Sequence, residues 1–260
     1  VLAAPSDARA HDLMDADPPV VAHTVDEEVA AWKAVRHGEG SLAVVGADGS
    51  FRGLVPPTRL LGVLLQEHDE DLARLGGFLA STSSTRHVTE EPVAARLWHR
   101  VPWLLIGLVG SALAALVVGG FEEQLAQDVR LAFFLPGIVY LADAVGTQTE
   151  TLVIRGMSVG VSIRRIVWSE VLTGLLIGVV LGGLAGLATE LVTGSADLAV
   201  VVAVSLLLAC AVATAVAMLL PGVLRRFGTD PAFGAGPLAT VVQDLLSIVL
   251  YFVVAGAVLT

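Results

Sequence analysis

The chain has 260 residues, of which 55% are hydrophobic and 15% are charged, and its mean hydropathy is +0.79. A soluble domain has about a quarter of its residues charged, so this composition indicates a membrane protein. The formal net charge of −10 argues against a nucleic-acid partner, because phosphate binding needs a basic surface. The single cysteine, Cys210, excludes an intramolecular disulfide framework.

The N-terminal part of the chain has the character of a small soluble domain. Residues 1–80 combine charged residues with short apolar runs, which is typical of an α/β unit. Within them, residues 12–64 read as helix, strand, hairpin and helix, with Asp48–Gly49 at the hairpin turn. Residues 81–101 predict a linker rich in serine and threonine, followed by a short amphipathic connecting helix.

The remaining chain, residues 102–260, contains five apolar runs separated by short polar breaks. Each run is long enough to cross a bilayer, which takes about 20 residues per helix. The chain therefore predicts an all-α polytopic membrane domain of five transmembrane helices attached to a small cytoplasmic α/β domain. The runs lie near residues 102–120, 131–156, 166–193, 198–221 and 237–259.

Basic residues in the connecting loops orient the five spans. Arg155, Arg164 and Arg165 follow the second run, and Arg225 and Arg226 follow the fourth. Because cytoplasmic loops carry the excess of Lys and Arg, both loops are expected in the cytoplasm. The sequence thus predicts a multi-pass protein of the cell (inner) membrane with a cytoplasmic N-terminus and an external C-terminus.

The ionisable residues deep inside the predicted spans are all acidic. Asp143 and Glu150 lie in the second run, and Asp244 lies in the fifth. Charged groups are costly in a bilayer, so such residues are functional by default. The alternative is that Glu150 lies near the headgroups, while Asp143 and Asp244 cap broken helices.

On two helices, these acids lie on the same face as hydroxyl groups. The residues concerned are three or four positions apart, and this spacing places side chains on one side of an α-helix. One face carries Asp143, Thr147 and Glu150, and the other carries Thr240, Asp244, Ser247 and Tyr251. Mg²⁺ sheds water reluctantly and is met through its water shell by oxygen groups. The two faces therefore predict a path for a hydrated divalent cation, with Asp244, Asp143, Thr240, Thr147 and Glu150 as the candidate metal-contacting residues.

The third run carries a glycine at every fourth position, namely Gly174, Gly178, Gly182 and Gly186. Small residues at this spacing let helices approach closely in a membrane. The stripe predicts a packing seam rather than a pore wall.

Three stretches of the membrane part carry a recognisable pattern of residues. They read RVPWLLIGLVGSALAALVVGGFEEQLA, LAFFLPGIVYLADAVGTQTETLVIRG and LLPGVLRRFGTDPAFGAGPLATVVQDLLSIVLYF. In order and spacing they resemble the transmembrane domain of MgtE-type magnesium channels and transporters. The resemblance implies a homodimer in the lipid bilayer that conducts Mg²⁺ along its two-fold axis. Its pore would be lined mainly by the second and fifth helices.

The resemblance also assigns individual residues to the pore. The family's pore aspartate matches Asp244, and its neighbours Gly236, Pro237 and Thr240 match as well. Breaks such as Gly236–Pro237 are tolerated at membrane depth where they line a cavity. The residues expected to line the pore are Pro136, Gly146, Gln148, Gly236, Pro237 and Ser247.

The second helix departs from the family pattern at two positions, and one of them bears on selectivity. Where the family usually carries Gly-Asn-x-Gly-x-Gln, this chain has Asp143 and Ala144 before Gly146 and Gln148. The additional carboxylate should strengthen cation binding in a narrow pore of low dielectric constant. Selectivity among Mg²⁺, Mn²⁺, Co²⁺ and Ca²⁺ is therefore expected to depend on Asp143.

Residues 12–64 resemble a CBS motif, a module that normally occurs in pairs. Only one motif is complete here, and the opening residues VLAAPSDARA are similar to the tail of a preceding one, which indicates a longer protein or pairing between subunits. Nucleotide-binding CBS motifs carry an Asp near Arg59 and, before it, a Ser or Thr near Pro56, and this sequence matches the pattern at neither position. The motif therefore does not favour an adenine nucleotide, and docking without a small ligand is the alternative.

An acidic run follows the CBS-like stretch and consists of Glu67, Asp69, Glu70 and Asp71. MgtE-type channels use carboxylates at domain contacts to close at high Mg²⁺, so the resemblance implies that this run senses regulatory Mg²⁺. A solvated helix face is the other explanation of such a run.

The same residues bear on three functional classes other than a channel, namely enzymes, membrane-anchored sensors and coupled carriers. All six histidines precede the first span, which excludes an HExxH metalloprotease and a Ser/His/Asp hydrolase, so no enzyme activity is expected. A CBS sensor with a membrane anchor would not need acidic faces on two spans. A gradient-coupled carrier for Mg²⁺, Mn²⁺ or Co²⁺ stays open, because carriers and channels both use carboxylates at the midplane.

Overall fold

A computed structural model describes residues 5, 7–15, 17–75, 92–158, 161, 163–227 and 235–259. These residues form two compact units that divide between His68 and Asp69. The predicted domain boundary near residue 80 and the serine-rich linker after it lie outside the described residues.

The first unit contains a three-stranded sheet with helices, which confirms the small α/β fold. Strand β1 pairs parallel to β2, and β2 pairs antiparallel to β3. The parallel pair requires a crossover connection, which the second helix supplies. The elements are α1 (Ala10–Leu13), β1 (Val20–Ala22), α2 (Glu27–His37), β2 (Leu42–Val45), β3 (Phe51–Val55) and α3 (Pro57–Leu75), the last of which extends into the second unit.

The hairpin between β2 and β3 turns at Asp48–Gly49, as the sequence predicts. Gly49 has a φ angle of +75°, a conformation that glycine adopts without steric cost. The Asp48 carboxylate accepts hydrogen bonds from the Ser50 hydroxyl at 2.6 Å and from its backbone N–H at 3.2 Å. The bond from the hydroxyl lowers the pKa of Asp48 below its ordinary value.

Five helices of the second unit are long and apolar enough to cross a membrane, as predicted. This unit is therefore a multi-pass membrane domain. Its long helices are α4 (Val93–Gly119), α6 (Leu131–Ser158), α7 (Ile163–Thr193), α8 (Ala196–Arg226) and α9 (Ala235–Leu259), and the short α5 (Glu122–Gln127) lies between the first two.

Helix α4 begins earlier than the predicted first span. The sequence predicts a connecting helix that is separate from the span beginning at Pro102, whereas one continuous helix runs from Val93 to Gly119. Proline removes one backbone hydrogen bond, and this loss is tolerated in membrane helices. The proline thus lies inside the helix instead of ending it.

Helix α8 is the central helix of the membrane domain. It packs against α6, α7 and α9, whereas α4 packs against α9. Ala209, Ala213 and Ala217 of α8 are fully buried, and such small side chains let neighbouring helices approach closely. Helices α6 and α9 also pack against each other, so that the two acidic faces predicted from the sequence belong to neighbouring helices.

The glycine stripe of α7 is a packing seam against α8, as predicted. A Cβ atom at Gly182 would lie 2.5 Å from the carbonyl oxygen of Ala203, and one at Gly178 would lie 3.0 Å from that of Leu207. At the neighbouring Gly183 a Cβ would meet no atom within 4 Å. Glycine at these positions therefore lets α7 and α8 pack closely, because larger side chains there would push the two helices apart.

Candidate cation site

A cavity of about 710 Å³ lies between α4, α6 and α9. Its described lining has one carboxylate, that of Asp244, together with hydroxyl groups from all three helices. Its lining residues are Arg100, Trp103, Leu104, Gly107, Gly110, Ser111 and Ala114 of α4, Thr147 of α6, and Gly236, Pro237, Thr240, Val241 and Asp244 of α9.

One face of α9 supplies the carboxylate and a hydroxyl group. Gly236, Thr240 and Asp244 are spaced four apart, which aligns them along one side of the helix. Pro237 lies in the first turn, where its missing N–H has no intrahelical partner to lose. The side chains of Thr240 and Asp244 are half-buried. Of the predicted face of α9, Thr240 and Asp244 therefore line this cavity, whereas Ser247 and Tyr251 are buried outside its lining.

Helix α4 contributes a wall that the sequence did not predict. Arg100, Trp103, Gly107 and Ser111 recur three or four residues apart and line the cavity together. The Ser111 hydroxyl donates to the backbone carbonyl of Leu108 at 2.9 Å, which leaves its oxygen lone pairs as acceptors. The spacing of polar and small residues along this apolar helix was the signal that would have identified the wall.

Helix α6 contributes Thr147 to the cavity and two acidic residues beside it. Glu150 is only 2% exposed, and its Oε1 atom has no hydrogen-bond partner among the described residues. The Oδ1 atom of the half-buried Asp143 is likewise buried and unpartnered in this part of the chain. Asp143 lies close enough to interact electrostatically with both Glu150 and Asp244, so its negative charge repels each of these two carboxylates.

Four other candidate pore residues lie outside the lining of this cavity. Pro136 and Gln148 are exposed on α6, Gly146 is buried against the side chain of Gln243, and Ser247 is only 1% exposed. The assignment of these residues to a pore wall therefore stays a prediction.

The acidic run proposed to sense Mg²⁺ lies on α3. Glu67, Asp69 and Glu70 are half-buried on this helix, and the side chain of Asp71 is outside the described residues. The carboxylates follow one another within one turn, so they do not all share one face. The sensing role stays a prediction.

The arrangement suits a cation that keeps its water shell. Among the described residues, no group of three or more His, Cys, Asp or Glu side chains is placed to hold a metal ion directly. Mg²⁺ binds through one or two carboxylates and retains several waters, whereas a fully dehydrated ion would need a complete cage. Asp244, with hydroxyl groups from Thr147 and Thr240 in the same cavity, supplies oxygen atoms of the kind that contact such a hydrated ion.

Comparison with known proteins identifies relatives of this chain. Residues 135–254 match the family model of MgtE, described as a divalent cation transporter. The chain is 33% identical over 236 residues to the magnesium transporter MgtE of Bacillus subtilis, covering 89% of this chain and 51% of that protein. It is 31% identical over 256 residues to the MgtE of Thermus thermophilus, covering 96% of this chain and 56% of the relative. The chain thus spans about half the length of the curated relatives it matches.

Proposed function

The membrane domain belongs to the MgtE family of divalent cation transporters, and on this premise we propose that the protein transports Mg²⁺ across the membrane. The observation that carries the proposal is the half-buried carboxylate of Asp244, which lies in a cavity with Thr147 and Thr240. An acidic side chain in a transmembrane helix is costly unless a cation or a polar cavity stabilises it. A cation route gives this residue a function.

Asp143 would raise the affinity of this route for divalent ions. Its charge acts on Asp244 and on the buried Glu150, so it adds negative potential at both carboxylates. A divalent cation entering that field relieves the repulsion between them. Conduction requires binding that is strong enough for the ion to enter and weak enough for it to leave. Attraction through the ion's water shell meets both conditions, because the ion does not bond to the carboxylates directly.

We propose that two copies of the chain form the pore as a homodimer. In one chain the cavity beside Asp244 opens at the surface, and Thr147 and Gln148 are exposed on α6. Polar and charged side chains of a membrane helix face protein or water rather than lipid. A second copy packed against α6 and α9 would separate these groups from lipid and enclose the cation path.

We propose that the N-terminal unit is a CBS-like domain that regulates the channel from the cytoplasm. Carboxylates are suited to binding a regulatory Mg²⁺ ion, and Glu67, Asp69 and Glu70 supply three of them on α3. Neutralising them in a Glu67→Gln/Asp69→Asn/Glu70→Gln variant should weaken inhibition of flux by Mg²⁺ on the cytoplasmic side. Equal inhibition in the variant and the unchanged chain would reject the sensing role.

The proposed location is the cell membrane, with the N-terminal unit in the cytoplasm and the C-terminus outside. Arg155 lies in the last turn of α6 and Arg226 is the last residue of α8, and basic residues at these ends favour the cytoplasmic side. Single cysteines introduced at Phe227 and Ala126, with Cys210 replaced by Ala, would test this orientation. Only the cysteine at position 126 should react with an impermeant thiol reagent added outside intact cells.

Ion flux into proteoliposomes tests the transport proposal. The purified chain is reconstituted, and uptake of Mg²⁺, Mn²⁺, Co²⁺ and Ca²⁺ is measured without any proton or sodium gradient. We expect uptake down the cation's own gradient, abolished by Asp244→Ala and unchanged by Asp197→Asn. Asp197 is the matched control, because it is an exposed carboxylate in the first turn of α8, away from the cavity.

The same measurement separates the alternatives. Uptake that appears only after a second ion gradient is imposed would identify a coupled carrier. Uptake that persists fully in Asp244→Ala would show that the cation does not pass this residue. An absence of uptake under every gradient would favour a membrane-anchored CBS sensor over a transporter.

A further inference from the structure

The side chain of Gln243 is held between α6 and α8. It is 1% exposed, and its Nε2 atom donates a hydrogen bond to the backbone carbonyl of Ala213 at 3.4 Å. A Cβ atom at Gly146 would lie only 2.6 Å from the amide carbon and nitrogen of this side chain. The amide therefore occupies the space that glycine leaves on α6, while it is bonded to the backbone of α8.

This contact lies next to the proposed cation site along the chain. Gln243 and Asp244 are consecutive, so they point about 100° apart around α9. Gln243 points towards α6 and α8, and Asp244 lines the cavity beside α4. If the glutamine lost its place, α9 could turn about its axis, and the Asp244 carboxylate would move relative to Thr147.

We propose that Gln243 is a positioning residue for Asp244 and that Gly146 provides the room which this role requires. The inference rests on the proposed function, because it concerns the cation route through Asp244. The amide serves this role better than an apolar side chain of the same length. It can bond a backbone carbonyl of α8, whose own position is set by the glycine seam with α7.

Thr214 extends the same contact to a fourth helix. It follows Ala213 on α8 and is buried, and a Cβ atom at Gly174 would lie 2.9 Å from the Cβ atom of Thr214. Gln243 thus belongs to a continuous line of close contacts that crosses from α6 through α9 and α8 to α7. A change that removes only the amide takes one hydrogen bond from this line and leaves its steric contacts, so we expect it to alter the site beside Gln243 more than the overall fold.

The test compares half-saturating Mg²⁺ concentration with maximal uptake in proteoliposomes that contain the whole chain. Gln243→Met keeps the length of the side chain but cannot donate to Ala213. We expect it to raise the half-saturating concentration about tenfold, the scale seen when groups that orient a metal-binding residue are lost. The thermal midpoint in detergent should change little. A purely structural role would give the opposite result, a lower midpoint with an unchanged half-saturating concentration.

A steric pair tests the role of Gly146 independently. Gly146→Ala should impair uptake, because its Cβ atom would collide with the amide, whereas Gly183→Ala has open space and should behave like the unchanged chain. The double variant Gly146→Ala/Gln243→Ala removes the colliding amide. It should recover uptake to the level of Gln243→Ala alone.

The outcomes separate this inference from the transport proposal. If the unchanged chain shows no uptake that depends on Asp244, the proposed function fails, and this inference fails with it. If uptake depends on Asp244 while Gln243→Met keeps the original half-saturating concentration, the positioning role alone is overturned. If Gln243→Met does not fold, the double variant Gly146→Ala/Gln243→Ala decides. Uptake that recovers to the level of Gln243→Ala supports the inference, and uptake no higher than that of Gly146→Ala overturns it.

Discussion

The phenolic hydroxyl of Tyr251 donates a hydrogen bond to the backbone carbonyl of Leu131 at 2.8 Å. Both residues are buried, and the bond joins the second half of α9 to the first residue of α6. Beside it, the rings of Phe252 and Phe121 stack with their centroids 4.5 Å apart. The hydrogen bond therefore ties α9 to the start of α6, and the stacked rings tie α9 to the residue that precedes α5.

Removing the Tyr251 hydroxyl should destabilise the membrane domain without abolishing transport. A hydrogen bond between membrane helices contributes about 0.6 kcal/mol on average and up to about 1.7 kcal/mol. We expect Tyr251→Phe to lose about 1 kcal/mol, measured as a lower thermal midpoint in detergent. Tyr140→Phe is the control, because Tyr140 is 72% exposed. Equal midpoints for both variants would show that the bond contributes nothing to stability.

Adjacent glycines of α7 should respond differently to the same substitution. Gly182→Ala would place a Cβ atom 2.5 Å from the Ala203 carbonyl oxygen, whereas Gly183→Ala enters open space. Overpacking of this kind costs about 1–3 kcal/mol. Thermal unfolding should therefore show a loss for position 182 and a change within about 0.5 kcal/mol for position 183. A similar loss at both positions would contradict the packing seam.

Asp143→Asn should change the order of preference among divalent cations. The substitution keeps the shape of the side chain and removes a charge that acts on Asp244. With less negative potential, the ratios of Mn²⁺, Co²⁺ and Ca²⁺ uptake to Mg²⁺ uptake should shift, while uptake itself continues. Asp197→Asn provides the comparison on an exposed carboxylate. Unchanged ratios in Asp143→Asn would remove Asp143 from the selectivity of this protein.

The loop before α6 should make a small pH-dependent contribution to stability. The Asp128 carboxylate accepts a 2.7 Å hydrogen bond from the Arg130 guanidinium, and this bonding lowers the pKa of Asp128 below its ordinary value of 3.8. Because the pKa is lowered in the folded state, the stabilisation is present above the unfolded pKa. It is lost as the pH falls through the lower folded value.

Comparison of Asp128→Asn with the unchanged chain at two pH values tests this contribution. The pair is partly exposed, so we expect a difference in unfolding free energy of less than about 1 kcal/mol at pH 7. The difference should shrink as the pH is lowered below about 4, where Asp128 takes up a proton first in the unfolded state and then, at lower pH, in the folded state. A difference that grows in acid would show that the pair does not stabilise the folded chain.

Much of the architecture could be predicted because it depends on local properties of the chain. The five spans are confirmed, since the apolar length needed to cross a bilayer is a sum over neighbouring residues. The alignment of Thr240 with Asp244 follows from the helical period alone. The sequence did not predict that α4 continues through Pro102. It shows that proline lacks a backbone N–H donor, but it does not show that the helix continues without that hydrogen bond.

The sequence by itself determined which helices cross the membrane and which of their faces carry carboxylates. Only the tertiary structure decided that Trp103 and Ser111 of α4 share a cavity with Asp244, and that Gln243 fits against Gly146. Lipid tails are as apolar as the helices themselves, so hydropathy does not indicate which faces meet in a membrane. Partners are chosen by close packing and a few hydrogen bonds, and these depend on the shapes of several helices at once.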